Sequence, residues 1–177
     1  MKNILYILIL LLFSVQASGQ NEDMEDLEDF RKKQSSELEF DKEDMVDIPE
    51  MDIRMAPPEG FEFHDSLNGF VHKGSSASIQ ILEIENVGMK NATESLTQEY
   101  FKQQGFQLEK ESVLQLNNGK KAKIYVTDYT VKDENYQRIF FFTGNKNTIW
   151  INVNYPMIVK DLIYKPIIAS LKTVTKK

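Results

Sequence analysis

The chain has no cysteine among its 177 residues. That absence excludes disulfides, thiolate metal sites, cysteine nucleophiles and the lipid anchor that bacteria attach to a cysteine directly after an export signal. Histidine is nearly as scarce, with two residues, and there is one tryptophan. Imidazole chemistry therefore has only His64 and His72 to draw on. Long apolar runs are missing beyond residue 15. The run over residues 4–15 is broken only by Ser14, and at about 12 residues it falls short of the roughly 20 a helix needs to cross a bilayer.

That run has the marks of a secretion signal. Lys2 supplies the positive start, and small residues at Ala17 and Gly19 fit the positions a signal peptidase reads. Residues 1–19 are expected to be a cleaved signal peptide, cut after Gly19, with a cut after Ala17 as the alternative. No permanent membrane anchor is expected to remain after cleavage, and the product is expected to be exported, periplasmic or secreted. The remainder, with 41% hydrophobic and 11% aromatic content over the whole chain, reads as one ordinary globular domain.

The net charge of -6 hides an asymmetry. Residues 21–59 carry 15 acidic and 5 basic side chains, net -10, whereas residues 60–177 carry 12 acidic and 15 basic, net +3. Residues 20–52 therefore read as an acidic flexible leader. Met24, Leu27 and Phe30 allow one short helix over 21–33 with Asn21 as its cap. Its carboxylates, Glu22, Asp23, Glu25, Asp26, Glu28 and Asp29, lack the alternating ligands and central glycine of a calcium loop. Nucleic acid is a poor partner for an exported chain of this charge. The small Lys120, Lys121 and Lys123 cluster is read as solubilising a turn.

The folded domain is expected over residues 53–177. Asn68-Gly69, between apolar stretches, predicts a two-residue hairpin. Ala77–Ile84 reads as a strand, and Asn91-Ala92-Thr93-Glu94 as a capping box opening a helix that ends at Gly105. Further strands are expected over 106–116, 122–131, 136–143 and 148–155, then a helix over 157–172 that Pro166 kinks or opens. Ile139-Phe140-Phe141-Phe142 is apolar at consecutive positions, so both faces of that strand need cover. The expected fold class is α+β: an antiparallel sheet with helices on both faces, an α/β/α sandwich.

Several phrases, Pro57-Pro58-Glu59-Gly60-Phe61, Ala77-Ser78-Ile79, Gln104-Gly105-Phe106, Asn118-Gly119-Lys120-Lys121-Ala122 and Ile168-Ala169-Ser170-Leu171, together resemble the Mog1/PsbP-like superfamily and its small exported bacterial members. The likeness runs over about residues 55–174, with Lys73-Gly74-Ser75-Ser76-Ala77 departing from the pattern by two serines. These are turn and core residues, so they speak for fold. The resemblance implies binding to larger assemblies without catalysis, and no functional residue carries over.

Candidates for chemistry are few. In the hairpin register set by Asn68-Gly69, His72 lies opposite Asp65, an acid-imidazole pair able to orient a base toward Ser66, Ser75, Ser76 or Ser78. None of these serines sits in a nucleophile elbow. His64 lies on the other face, which leaves no two-histidine metal site. Asn91-Ala92-Thr93 matches a glycosylation acceptor, and Asp65-Ser66-Leu67 is similar to an O-glycosylation triplet used by some bacteria. Both are short. Ile149, Ile151, Val153 and Tyr155 alternate inward, which leaves Trp150 on the face of Asn152 and Asn154. If no helix covers that end, Trp150 is an exposed anchor.

The expected function is a non-catalytic interaction module, without metal or cofactor, docking on an envelope protein or complex. The alternative is a small-molecule or glycan binder using the face around Trp150. A hydrolase built on Asp65 and His72 ranks third.

Overall fold

A computed structural model describes residues 40–177. The expected signal peptide and the candidate helix over 21–33 lie outside the described residues. Packed structure begins upstream of the expected boundary at Ile53. Strand β1 (Val46–Asp47) pairs antiparallel with β2 (Arg54–Met55), and Ile48 is fully buried in the core.

The main sheet has seven strands: β3 (Glu62–His64), β4 (Gly69–His72), β5 (Ala77–Ile84), β6 (Gln107–Gln115), β7 (Lys121–Val131), β8 (Glu134–Thr143) and β9 (Thr148–Pro156). Their order across the sheet is β3-β4-β5-β9-β8-β7-β6, and every neighbour is antiparallel. Helix α3 (Lys160–Lys172) packs Ile163, Ile167 and Leu171 against one face. On the other face lie α1 (Met89–Thr93) and α2 (Gln98–Gln103). The α/β/α sandwich follows from burial on both sides. Along β8, Ile139 and Phe141 enter the core under α3, while Phe140 and Phe142 enter the second core with Phe101 of α2.

Helix α3 continues through Pro166 to Lys172, so its last turns do not open. Proline in a helix interior costs about 3 kcal/mol. Three fully buried apolar side chains on the helix, each contributing roughly 2 kcal/mol, outweigh that cost.

Two local expectations are corrected. The helix expected over 91–105 is two short ones. It starts at Gly88, where a Cβ would meet the Asn145 carbonyl oxygen at 2.3 Å. It stops where the Thr93 hydroxyl donates to the Met89 carbonyl at 2.9 Å, a bond that competes with continued helix. Thr97 then caps α2 by accepting the Tyr100 amide at 3.2 Å. Gly105, with φ +80°, closes α2, and the Phe106 amide donates back to the Phe101 carbonyl.

The hairpin register also differs. Glu62 pairs with Val71 and His64 with Gly69, and the residues between them turn through a 3₁₀ segment ending in left-handed Asn68. Gly69 is needed for space within a strand instead of for a turn: a Cβ there would sit 1.8 Å from the Ile79 carbonyl oxygen.

Candidate functional site

The shifted register dissolves the expected acid-imidazole pair. Asp65 lies in the turn beyond the last paired residues, while His72 reaches Phe61, with ring centroids 5.3 Å apart. Nδ1 of His72 accepts the Ser75 amide at 3.0 Å, so this nitrogen holds a turn. Ser66 meets His64 instead, Oγ to Nδ1 at 3.0 Å, on the exposed surface. His64 is exposed and His72 buried, so the two imidazoles are not brought together. Asn91 is an exposed residue within α1 and does not cap it.

The face opposite α3 gathers the unusual side chains. Half of it is apolar and covered by α1 and α2. Trp150 is only 5% exposed there, stacked on Phe142 with centroids 5.7 Å apart and planes 18° from parallel. The condition for an exposed anchor at Trp150 is therefore not met, because the two short helices cover that end. A slot beneath α2, bordered by Leu96, Phe101 and Trp150, has a volume of about 20 Å³. That is space for roughly one water and not for a sugar ring.

Beyond the helices the same face turns polar. Cross-strand register sets Ser78, Asn154, Arg138 and Thr127 in one row and Gln80, Asn152 and Phe140 in the next. Arg138 is 5% exposed, and among the described residues no carboxylate lies within ion-pair distance of it. Its guanidinium instead lies over three rings, 5.0 Å from the centre of Phe106, 5.2 Å from Tyr129 and 5.7 Å from Phe140. Its Nε donates to Asn154 Oδ1, which also accepts from the Tyr129 hydroxyl at 3.2 Å.

Burial pulls the Arg138 guanidinium below its ordinary range, an effect the neighbouring Tyr129 opposes. Burial likewise raises the Tyr129 hydroxyl, opposed by Arg138. Tyr129 and Tyr136 stack at 5.5 Å, both half-buried, and form the rim of this region.

Four buried polar atoms on this face, Gln80 Oε1, the Tyr125 hydroxyl, Trp150 Nε1 and Asn152 Oδ1, have no hydrogen-bond partner among the described residues. Native interiors leave few such groups. They group on one face of one sheet, beside a guanidinium that has no carboxylate partner among the described residues. Arg138 was legible in the sequence only as a charge inside a strand. What distinguishes it is the row of neighbours that tertiary pairing supplies.

No protein-family model and no curated protein matches this sequence. Among solved structures, LpqN, involved in cell envelope biogenesis of Mycobacterium tuberculosis, superposes with a TM-score of 0.54 at 11% identity, covering 70% of this chain and 82% of its own. Cyanobacterial PsbP (CyanoP) from a Synechocystis species gives 0.48 at 12% identity, covering 78% and 91%. At such identity the likeness to LpqN shows the fold alone. That fold is an antiparallel sheet with helices on both faces, the α+β class expected from the sequence.

Proposed function

We propose that this chain is an exported, non-catalytic interaction module that docks on an assembly of the cell envelope through the tyrosine and arginine face at the margin of its helices. The observation that carries this reading is Arg138, a buried guanidinium framed by Phe106, Tyr129 and Phe140 with no carboxylate within ion-pair distance among the described residues. Tyrosine and arginine dominate the energetic centres of protein interfaces, since they bury large area and keep a polar edge for the partner. Export rests on the N-terminal signal pattern. The absence of chemistry rests on the separation of Asp65 from His72. LpqN, a protein of the same fold, is involved in envelope biogenesis, which is in keeping with the location proposed here.

The test is photocross-linking in the native envelope. A photoreactive phenylalanine analogue replaces Tyr136 on the proposed face, or Val113, 66% exposed on edge strand β6, as the control position. One defined adduct from position 136, absent from position 113 and abolished by Arg138→Met, is the expected result. The same adducts from both positions, or adducts insensitive to Arg138→Met, would sink the proposal.

A further inference from the structure

We infer that a cleft at one end of the sheet is a docking site for the acidic segment of this same chain, residues 22–29. The inference is independent of the face described above.

The cleft has a volume of about 690 Å³ and lies where the loops after β5, between β6 and β7 and between β8 and β9 meet the C-terminal tail. Lys120, Lys121, Lys146 and Lys176 line it, against one carboxylate, Glu85. Lys176 is already engaged, with its Nζ 3.4 Å from Glu83 and 3.7 Å from Asp52. Among the described residues, Lys120, Lys121 and Lys146 have no carboxylate within ion-pair distance. Three like charges around one concavity focus a positive potential into it. Half-buried Met89 adds apolar surface to the wall, with Leu116, Ile149 and Val174 buried behind it. An occupant must therefore be anionic and partly apolar.

Residues 22–29 read Glu-Asp-Met-Glu-Asp-Leu-Glu-Asp, six carboxylates with Met24 and Leu27 three positions apart. That pattern matches the cleft in both respects. The point at which the described chain begins supports the assignment. Arg54, the strand partner of Asp47, exchanges backbone hydrogen bonds with Thr175 at 2.9 and 3.0 Å, and Lys177 Nζ reaches the Ile48 carbonyl at 3.3 Å. Thr175 and Lys176 are cleft residues, so the leader joins the domain beside the cleft wall. Eleven residues separate Asp29 from Asp41, a reach of at most about 40 Å. That short tether holds the acidic segment near the cleft at an effective concentration on the order of millimolar. The leader then competes with any external acidic ligand for the same lysines.

Zero-length carbodiimide coupling of the full mature chain, mapped by mass spectrometry, tests this directly. Residues 22–29 are expected to couple to Lys120, Lys121 and Lys146 within one chain, at yields independent of protein concentration. Those yields should fall as ionic strength approaches ~0.5 M and in competition with a synthetic peptide of residues 20–33. Replacing the six carboxylates with amides should speed amide hydrogen exchange over residues 117–120 and 144–147. The inference is overturned by equal coupling to the exposed Lys90, Lys110 and Lys132, by coupling that vanishes on dilution, or by exchange that the amide variant leaves unchanged.

Discussion

The guanidinium of Arg138 lies 5.0 Å from the centre of the Phe106 ring while its Nε hydrogen goes to Asn154 on the neighbouring strand. Each cation-ring contact contributes roughly 0.5–2 kcal/mol when desolvated. Methionine removes a desolvated charge, keeps sulfur contact with the same rings and orphans no carboxylate among the described residues. These offset the lost cation-ring contacts, so Arg138→Met is expected to change stability by only about 1 kcal/mol, read by urea unfolding. Arg138→Glu, which buries an anion against ring faces, is expected to cost more than about 3 kcal/mol. A large loss in the methionine variant would make Arg138 a structural residue.

Gly69 and Asn68 are adjacent and serve different ends. Gly69→Ala forces a Cβ to within 1.8 Å of the Ile79 carbonyl oxygen, so β4 and β5 must part, at a cost of about 3 kcal/mol or more. Asn68→Gly keeps the left-handed conformation and loses its side-chain bond to the Ile81 carbonyl and a weaker one to Met51 Sδ, at a cost of about 1 kcal/mol. Reversal of that order in thermal unfolding would contradict the register described here.

Ile167 is fully buried under the sheet and Ile158 is 92% exposed just before α3. Ile167→Ala is expected to cost about 2–5 kcal/mol, and Ile158→Ala to stay within about 0.5 kcal/mol. Equal effects would mean that α3 does not seat as described.

Burial keeps the Tyr155 hydroxyl protonated far above the usual phenol range, and it donates to Gln137 Oε1. An unfolded chain releases this proton at about pH 10, the ordinary value of a phenol. Above that pH the folded chain holds a proton the unfolded chain has lost, so stability is intact below about pH 10 and declines as pH rises beyond it. Tyr155→Phe is expected to cost about 1–3 kcal/mol at neutral pH by orphaning Gln137 Oε1. It should also flatten the alkaline decline in unfolding experiments.

Trp150 is the sole tryptophan and so reports directly on the helical cover. At 5% exposure against Phe142, its fluorescence should resist acrylamide quenching until the protein unfolds. Ready quenching in the native protein would show that α1 and α2 do not shield this end.

Much of the framework was legible along the chain. Ala77–Ile84 begins and ends where the alternation of Ile79 and Ile81 with polar neighbours places it, and the consecutive apolar residues Ile139, Phe140, Phe141 and Phe142 of β8 required cover on both faces. Turn chemistry was read less well. Lys132 and Asp133 form the two-residue turn between β7 and β8 with positive φ at both positions, although neither is glycine, so β8 starts at Glu134 and not at Tyr136. The candidate site was the least legible part, since Arg138, Tyr129 and Phe106 stand on three different segments and meet only through pairing and the return of the chain after α2.

Local physics along the chain determined the charge asymmetry, the strand alternation and the need for a two-sided sheet, because each rests on composition or on period. Register and cover were decided in three dimensions. Crowding at Gly69 set the hairpin and so separated Asp65 from His72, and the broken α1–α2 cover buried Trp150 while leaving Arg138 and its aromatic frame at the margin. Such outcomes depend on which backbone comes close to which, a distance that sequence spacing does not encode.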